Sequence, residues 1–257
     1  MAQATRKRIN LLDEIRGVSI ICMVFFHGFY MMSGIFGWKI GDTLLNFFMP
    51  AEPVFAAIFI FISGISCQLS HSNAERGAKL IWVSIALTAA TWWIDEYLEM
   101  SGTVIWFGIL HLLSLSMLFY AALKGILDKI PIIISIVVFG ALFAATYNIS
   151  YGYIGIGDLS WRVPSAMTDC TLLFPFGIVS SSFFSADYFP IFPWLFMFII
   201  GASVGKLFKS ESIPKWFYPC HVKPVAFCGR HTLIIYLLHQ PAIYIILLAI
   251  SRIISAV

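Results

Sequence analysis

Charged side chains are scarce in this chain. Only 11% of its 257 residues are Asp, Glu, Lys or Arg, whereas 60% are hydrophobic. Soluble domains carry about 25% charged residues, and a soluble chain could not bury this much apolar surface, so lipid must form part of the solvent. The composition therefore excludes an ordinary soluble domain. The net charge of only +3 gives no indication of a nucleic-acid partner.

Internal repeats and low-complexity segments are also missing. Their absence favours one helical bundle, and we expect residues 1–257 to form a single transmembrane domain. The five cysteines are an odd number without regular spacing, so they predict no disulfide framework. One stretch contains residue types that bind zinc, but its spacing fits no standard site and we expect no metal there: Cys220, His221, Cys228 and His231.

Long apolar runs are what the chain has in abundance. A helix that crosses a bilayer needs about 20 mostly apolar residues. Runs of that kind predict seven spans, at 15–36, 52–70, 79–97, 103–123, 130–148, 188–206 and 231–253. The predicted fold class is an all-α polytopic membrane protein, a bundle of about seven transmembrane helices, with a long loop at 149–187.

Basic residues are distributed unevenly between the connections. With a cytoplasmic N-terminus, 13 of the 16 lysines and arginines fall on the inner side and 3 on the outer side. This follows the positive-inside rule, so we expect the N-terminus to be cytoplasmic and the C-terminus outside. The inner residues are Arg6, Lys7, Arg8, Arg16, Arg76, Lys79, Lys124, Lys129, Lys206, Lys209, Lys215, Lys223 and Arg230, and the outer ones are Lys39, Arg162 and Arg252. The outer side is acidic: Asp42, Glu52, Asp95, Glu96, Glu99, Asp158, Asp169 and Asp187.

Ionisable side chains inside a bilayer are costly, so each is a candidate for function. In the first predicted helix, Arg16 precedes His27 by eleven residues. Eleven steps of about 100° place both side chains on one face, with a rise of about 16 Å. Arg16 is therefore expected at the cytoplasmic mouth and His27 near the midplane. Asp13 lies one turn before Arg16 on a similar face.

Two more histidines fall inside predicted spans. His239 lies about 13 Å up the last helix from Arg230, close to the depth of His27. His111 lies eight residues below the outer end of the fourth predicted helix. Helix packing through a hydrogen bond explains each of these two histidines as well as a functional role does, so both alternatives stay open.

Buried histidines suit two other functions. An intramembrane haem or metal protein would use them as ligands, but no helix carries histidines at i and i+4 and no carboxylate lies deep in a span. A proton-coupled small-molecule transporter is the other alternative, although the chain lacks the repeats typical of transporters. An imidazole can instead take a proton from an attacking hydroxyl or amine, and an arginine at the inner mouth can bind phosphates. That pair favours an acyl-CoA donor loaded from the cytoplasm and an acceptor approaching from the acidic outer side.

Four stretches carry a resemblance to a known family. They are LDEIRGVSIICMVFFHG at 12–28, FGILHLLSLS at 107–116, SADYFPIFPW at 185–194 and GRHTLIIYLLHQP at 229–241. Together they resemble the bacterial branch of the heparan-alpha-glucosaminide N-acetyltransferase catalytic-domain family, within the wider transmembrane acyltransferase group. The arginine–ten residues–histidine spacing of Arg16 and His27 also resembles a signature of membrane O-acyltransferases that modify bacterial surface sugars.

The resemblance implies an acyl-CoA-dependent N- or O-acetyltransferase in the bacterial cytoplasmic membrane. Its co-substrate would be acetyl-CoA or another acyl-CoA, with no metal, and its partners the bilayer and a sugar-like or glycan acceptor. The acceptor, the acyl chain length, a direct or acyl-histidine route and the oligomeric state, a homodimer included, stay open. The animal enzymes of the family have Asn where this chain has His27.

The resemblance and the spacing together assign the candidate residues. The catalytic residue is His27, and acyl-CoA is expected to bind Arg16 and Arg230. Residues of the pocket or its support are Asp13, His111, His239 and Tyr236. On the acceptor side we expect Asp187 and Tyr188, for which a helix-capping aspartate within an aromatic interfacial belt is the alternative.

Overall fold

A computed structural model describes residues 8–98, 100, 102–209 and 213–256. Arg6, Lys7 and Glu99 of the charge distribution lie outside these described residues. Ten α-helices form in the described chain: α1 (Asn10–Gly34), α2 (Lys39–Phe48), α3 (Glu52–Leu69), α4 (Asn73–Tyr97), α5 (Ile109–Leu127), α6 (Ile132–Thr146), α7 (Ser165–Thr168), α8 (Ile191–Lys209), α9 (Lys223–Arg230) and α10 (Thr232–Ala256). An antiparallel hairpin joins β1 (Tyr153–Ile156) to β2 (Leu159–Arg162).

Seven helical stretches of the described residues are long and apolar enough to cross a bilayer. They are Asn10–Gly34, Lys39–Leu69, Asn73–Tyr97, Ile109–Leu127, Ile132–Tyr151, Ile191–Lys209 and Thr232–Ser255. The prediction of an all-α polytopic membrane protein with seven spans is thereby confirmed.

The fourth span begins at Ile109, whereas the apolar run predicted a start at 103. Two side chains of α4 explain the difference, because they take up backbone groups of the preceding segment. The N–H of Thr103 donates to Asp95 Oδ1 at 3.0 Å, and the N–H of Ile105 donates to Thr91 Oγ1 at 3.1 Å. Backbone groups bonded in this way hold the segment extended along α4 and outside the helix.

Contacts divide the chain into two compact units. The first unit comprises Met1–Phe59 and Ile213–Val257, and in it α1 packs against α2, α9 and α10. Two glycines allow the backbones of α1 and α9 to touch. A Cβ added at Gly17 would overlap the carbonyl oxygen of Val225, and one added at Gly229 would overlap that of Asp13. Small residues at helix interfaces permit such close approach.

The second unit comprises Ile60–Ser212, where α4 packs on α5 and α8 packs on both α5 and α6. Several of its polar side chains bond to one another across helices. Gln68 Nε2 donates to the hydroxyl of Tyr120 at 2.6 Å, and that hydroxyl donates to Asp128 Oδ1 at 2.7 Å. The hydroxyls of Ser135 and Ser203 lie 2.6 Å apart and join α6 to α8.

Candidate functional site

Three arginines surround one buried carboxylate in the first unit. Asp13 lies in the first turn of α1, and its Oδ2 accepts a hydrogen bond from Arg8 Nε at 2.6 Å. Its Oδ1 accepts from Arg16 Nη1 at 3.1 Å, and Arg230 Nε lies 3.6 Å from Oδ2. The structure thus brings together three residues that the sequence marked as candidates, Asp13, Arg16 and Arg230, and adds Arg8.

This arginine cluster, defined as Arg8, Arg16 and Arg230 around Asp13, has a surplus of two positive charges. The hydrogen bond and the charge of Asp13 raise the pKa of Arg8, so its guanidinium stays charged. Guanidiniums match the geometry of phosphate oxygens and bind them in bidentate pairs. The cluster can therefore bind a phosphate-bearing ligand.

Two residues that the sequence did not single out fix this end of α1. Glu14 is buried, and its Oε1 accepts the backbone N–H groups of His221 and of Val222, the latter at 2.8 Å. A carboxylate at that point also complements the positive N-terminus of α9. Asn10 Oδ1 accepts from Arg230 Nη2 at 2.8 Å. Glu14 and Asn10 thereby hold the segment that carries Arg230.

His27 and His239 lie against each other further along α1. Their ring centroids are 5.0 Å apart with planes at 52°, and both side chains are buried. His239 Nδ1 lies 2.7 Å from the carbonyl oxygen of Tyr236. Because a carbonyl oxygen only accepts, Nδ1 carries the proton, and in neutral His239 the lone pair lies on Nε2. The tautomer of neutral His239 is thus defined.

Arg16 and His27 both face the C-terminal helices of the same unit. Arg16 Nη1 lies 3.5 Å from the carbonyl oxygen of Gly229, while His27 packs on His239. The continuous helix α1 carries both residues, which gives a rise between them of about 16 Å. One member of the arginine cluster and one member of the histidine pair therefore lie along the same helix, at a spacing that a long, flexible substrate arm can cover.

His111 lies in the second unit, and both of its ring nitrogens are engaged. The N–H of Gly108 donates to His111 Nδ1 at 3.3 Å, so Nε2 carries the proton. Nε2 lies 3.3 Å from Thr88 Oγ1, and the Thr88 hydroxyl donates to the carbonyl oxygen of Ile105 at 2.7 Å. This chain of hydrogen bonds caps the start of α5. Of the two alternatives for His111, it favours the one in which the side chain serves helix packing.

A shallow groove of about 370 Å³ opens beside His111. Its lining is almost entirely apolar, with two partly exposed tryptophans, and consists of Ile85, Thr88, Ala89, Trp92, Trp106 and His111. An apolar lining cannot compensate the desolvation of phosphates, so this groove does not suit the nucleotide part of a CoA donor.

Asp187 and Tyr188 belong to the same second unit. Asp187 is buried, and its Oδ2 accepts the N–H of Ile109 at 3.1 Å, so it caps α5. A helix cap was the alternative that the sequence left for Asp187 beside the acceptor side, and the structure places this cap on α5. The hydroxyl of Tyr188 donates to the carbonyl oxygen of Phe174 at 2.6 Å, and burial raises the pKa of Tyr188. Tyr188 therefore stays neutral at physiological pH.

Among the described residues, no three His, Cys, Asp or Glu side chains come together in a group that could hold a metal ion. In the stretch with zinc-binding residue types, His221 Nδ1 lies 3.1 Å from Glu14 Oε2, and His231 Nδ1 lies 2.9 Å from the carbonyl oxygen of Phe227. These histidines thus have partners within the protein.

These features define a class: a polytopic helical membrane protein with a cationic cluster near the start of α1 and a buried histidine pair further along the same helix. The family described as heparan-alpha-glucosaminide N-acetyltransferase, catalytic, matches residues 8–241. This match covers most of the chain, so the chain belongs to that family. The family is one of membrane acetyltransferases whose donor is acetyl-CoA. Searches of curated proteins and of solved structures gave no match.

Proposed function

We propose that this protein moves an acetyl or other acyl group from cytoplasmic acyl-CoA to an amine or hydroxyl of a sugar-like acceptor on the outer side. The observation that carries the proposal is the placement of Arg16, from the arginine cluster, and of His27, from the His27–His239 pair, on the continuous helix α1 of a family member. We place the protein in the bacterial branch of the family and in the bacterial cytoplasmic membrane. The whole chain acts as one acyltransferase domain, with its N-terminus inside and its C-terminus outside.

The arginine cluster binds the donor from the cytoplasm. Its surplus positive charge attracts the phosphates of CoA, and the pantetheine arm extends along α1 over the rise of about 16 Å to the histidine pair. Asp13 and Glu14 hold the arginines and α9 in position for this contact. Positioning both ends of the donor brings its thioester carbonyl to the histidines.

His27 acts on the acceptor at the thioester. The acceptor nitrogen or oxygen attacks the carbonyl carbon, and its proton passes to the imidazole. The C–S bond breaks as the new C–N or C–O bond forms, and the proton then passes to the departing sulfur to give the CoA thiol. In a two-step route the acyl group rests on the imidazole before the acceptor takes it. His239 packs against His27 and positions its ring.

Asp187 and Tyr188 are the proposed residues of the acceptor side. A carboxylate and an aromatic ring suit the hydroxyls or amines and the apolar face of a sugar. A homodimer has no observation to support it and is not part of the proposal.

The test uses the purified protein in vesicles with isotopically labelled acetyl-CoA and a panel of amino sugars and glycans. We expect CoA thiol release that depends on an acceptor, together with acetyl label in that acceptor. Proton flux without acyl transfer would instead favour the transporter alternative, and a Soret band would favour the haem alternative. Either result would contradict the proposed function.

A further inference from the structure

The three guanidiniums of the arginine cluster differ in exposure. The side chain of Arg16 is 18% exposed, that of Arg230 is 37% exposed and that of Arg8 is 61% exposed. Arg16 also directs Nη1 at Asp13 and lies 3.5 Å from the carbonyl oxygen of Gly229. Arg16 is therefore built into the interface of α1 and α9, whereas the other two reach the surface.

Arg8 and Arg230 both face Asp13 through Nε, and this leaves terminal nitrogens for a ligand. Among the contacts of the described residues, Nη1 and Nη2 of Arg8 have no protein acceptor. Arg230 uses Nη2 for Asn10, and its Nη1 has no acceptor among those same residues. Both Nε atoms approach the same oxygen, Asp13 Oδ2. The two guanidiniums therefore lie close together at that oxygen.

Charge selects the ligand of this pair. Three guanidiniums and one carboxylate leave a surplus of two positive charges. A phosphomonoester carries a charge of about −1.5 to −2 at neutral pH on one compact group, with three acceptor oxygens. The diester phosphates of a pyrophosphate spread the same charge over two centres. A phosphomonoester thus matches best the surplus of two positive charges on the arginine cluster.

We propose that Arg8 and Arg230 bind the 3′-phosphomonoester of the acyl-CoA donor, while Arg16 is a positioning residue that holds Asp13 and α9. This inference rests on the proposed function, because it assigns one part of the donor to two particular side chains. Arg8 becomes a specificity-determining residue of the protein, although it precedes α1 and the sequence pattern marks it only as one of many inner cations.

The experiment compares the affinities for CoA and for 3′-dephospho-CoA, measured by calorimetry on the protein in nanodiscs of neutral lipid. We expect the parent protein to bind CoA about ten- to a hundredfold more tightly, the effect of losing charge-assisted hydrogen bonds. Arg8→Gln and Arg230→Gln should each lower this ratio severalfold or more by weakening CoA alone. Arg8→Gln is the more decisive variant, because its exposed side chain lies outside any helix.

Two further variants separate ligand binding from positioning. Arg16→Gln should weaken CoA and dephospho-CoA by a similar factor and leave their ratio intact. Arg76→Gln is the matched control, an exposed arginine in the first turn of α4 on the same predicted side of the membrane, and it should change neither affinity.

Failure of this inference differs from failure of the proposed function. A parent protein that binds neither form of CoA would contradict the acyltransferase proposal itself. Equal binding of the two forms, or an unchanged ratio in Arg8→Gln, would overturn only the assignment of the phosphomonoester. A lipid headgroup can present the same group, so phosphatidic acid is added in a second series. If that lipid depends on Arg8 for binding while the CoA ratio does not, the cluster is a lipid site and the inference is wrong.

Discussion

The rings of His27 and His239 pack at a centroid distance of 5.0 Å, although the residues come from opposite ends of the chain. This contact joins α1 to α10, and its second member has a fixed tautomer because Nδ1 donates to the carbonyl oxygen of Tyr236. In the proposed function His27 takes the proton of the acceptor, so we expect a change in the neighbouring ring of His239 to alter the orientation of His27.

The first prediction concerns this pair. His239→Ala should lower kcat by about 10- to 100-fold, because the ring that positions His27 is lost. It should also shift the pH dependence of kcat/KM, which a purely structural loss would not do. His231→Ala is the control, since His231 is exposed, and it should leave the profile unchanged. A His239→Ala enzyme with the parent pH profile would show that the two rings are not coupled.

The second prediction concerns the contact of α1 with α9. Gly17→Ala should destabilise the protein by about 1–3 kcal/mol, because the new methyl group would push the helices apart. Gly28 is the matched control on the same helix, since the nearest atom to an added Cβ, Ile243 Cδ1, is 4.0 Å away. Thermal unfolding in detergent measures both variants. A Gly28→Ala protein that loses as much stability as Gly17→Ala would contradict the packing.

The third prediction separates the two roles of Asp187. Asp187→Ala removes the cap of α5 and should cost about 0.5–2 kcal/mol of stability. Asp187→Asn keeps a side-chain oxygen for the N–H of Ile109, so most of the stability should remain. If Asp187 also contacts the acceptor, Asp187→Asn should raise the KM for the acceptor and leave CoA affinity unchanged. An unchanged KM would leave Asp187 with the cap alone.

The fourth prediction is the membrane orientation. The distribution of basic residues places Asp158 outside and Lys215 inside, and both side chains are exposed. In a cysteine-free background, Asp158→Cys should react with an impermeant maleimide in intact cells, and Lys215→Cys only after lysis. Labelling of Lys215→Cys in intact cells would reverse the proposed orientation.

The sequence predicted the spans well because long apolar runs have few alternatives to a membrane helix. The alignment of Arg16 with His27 also followed from helical periodicity alone. The sequence did not predict α9, which has only eight residues with a charged residue at each end, and whose position depends on its contacts with Asp13 and Glu14 of α1.

The arginine cluster could not be predicted from the sequence either. Arg8 and Arg230 are separated by most of the chain, and each one alone resembles an ordinary cytoplasmic cation. Only the folded structure shows that the Nε atoms of both arginines approach Asp13 Oδ2. The start of α5 was missed for a related reason, because the bonds of Thr103 and Ile105 to α4 are tertiary and leave no periodic signal.

The central claim is that donor binding at the arginine cluster is separate from the chemistry at His27, and one paired measurement tests it most directly. CoA affinity and acetyl transfer from labelled acetyl-CoA are measured on the same preparations of the parent, Arg16→Ala and His27→Ala. Arg16→Ala should weaken CoA binding about ten- to a hundredfold. His27→Ala should bind CoA within a few fold of the parent while its turnover falls by about 10² or more. If both variants fold, bind CoA and transfer acetyl groups like the parent, the account is contradicted.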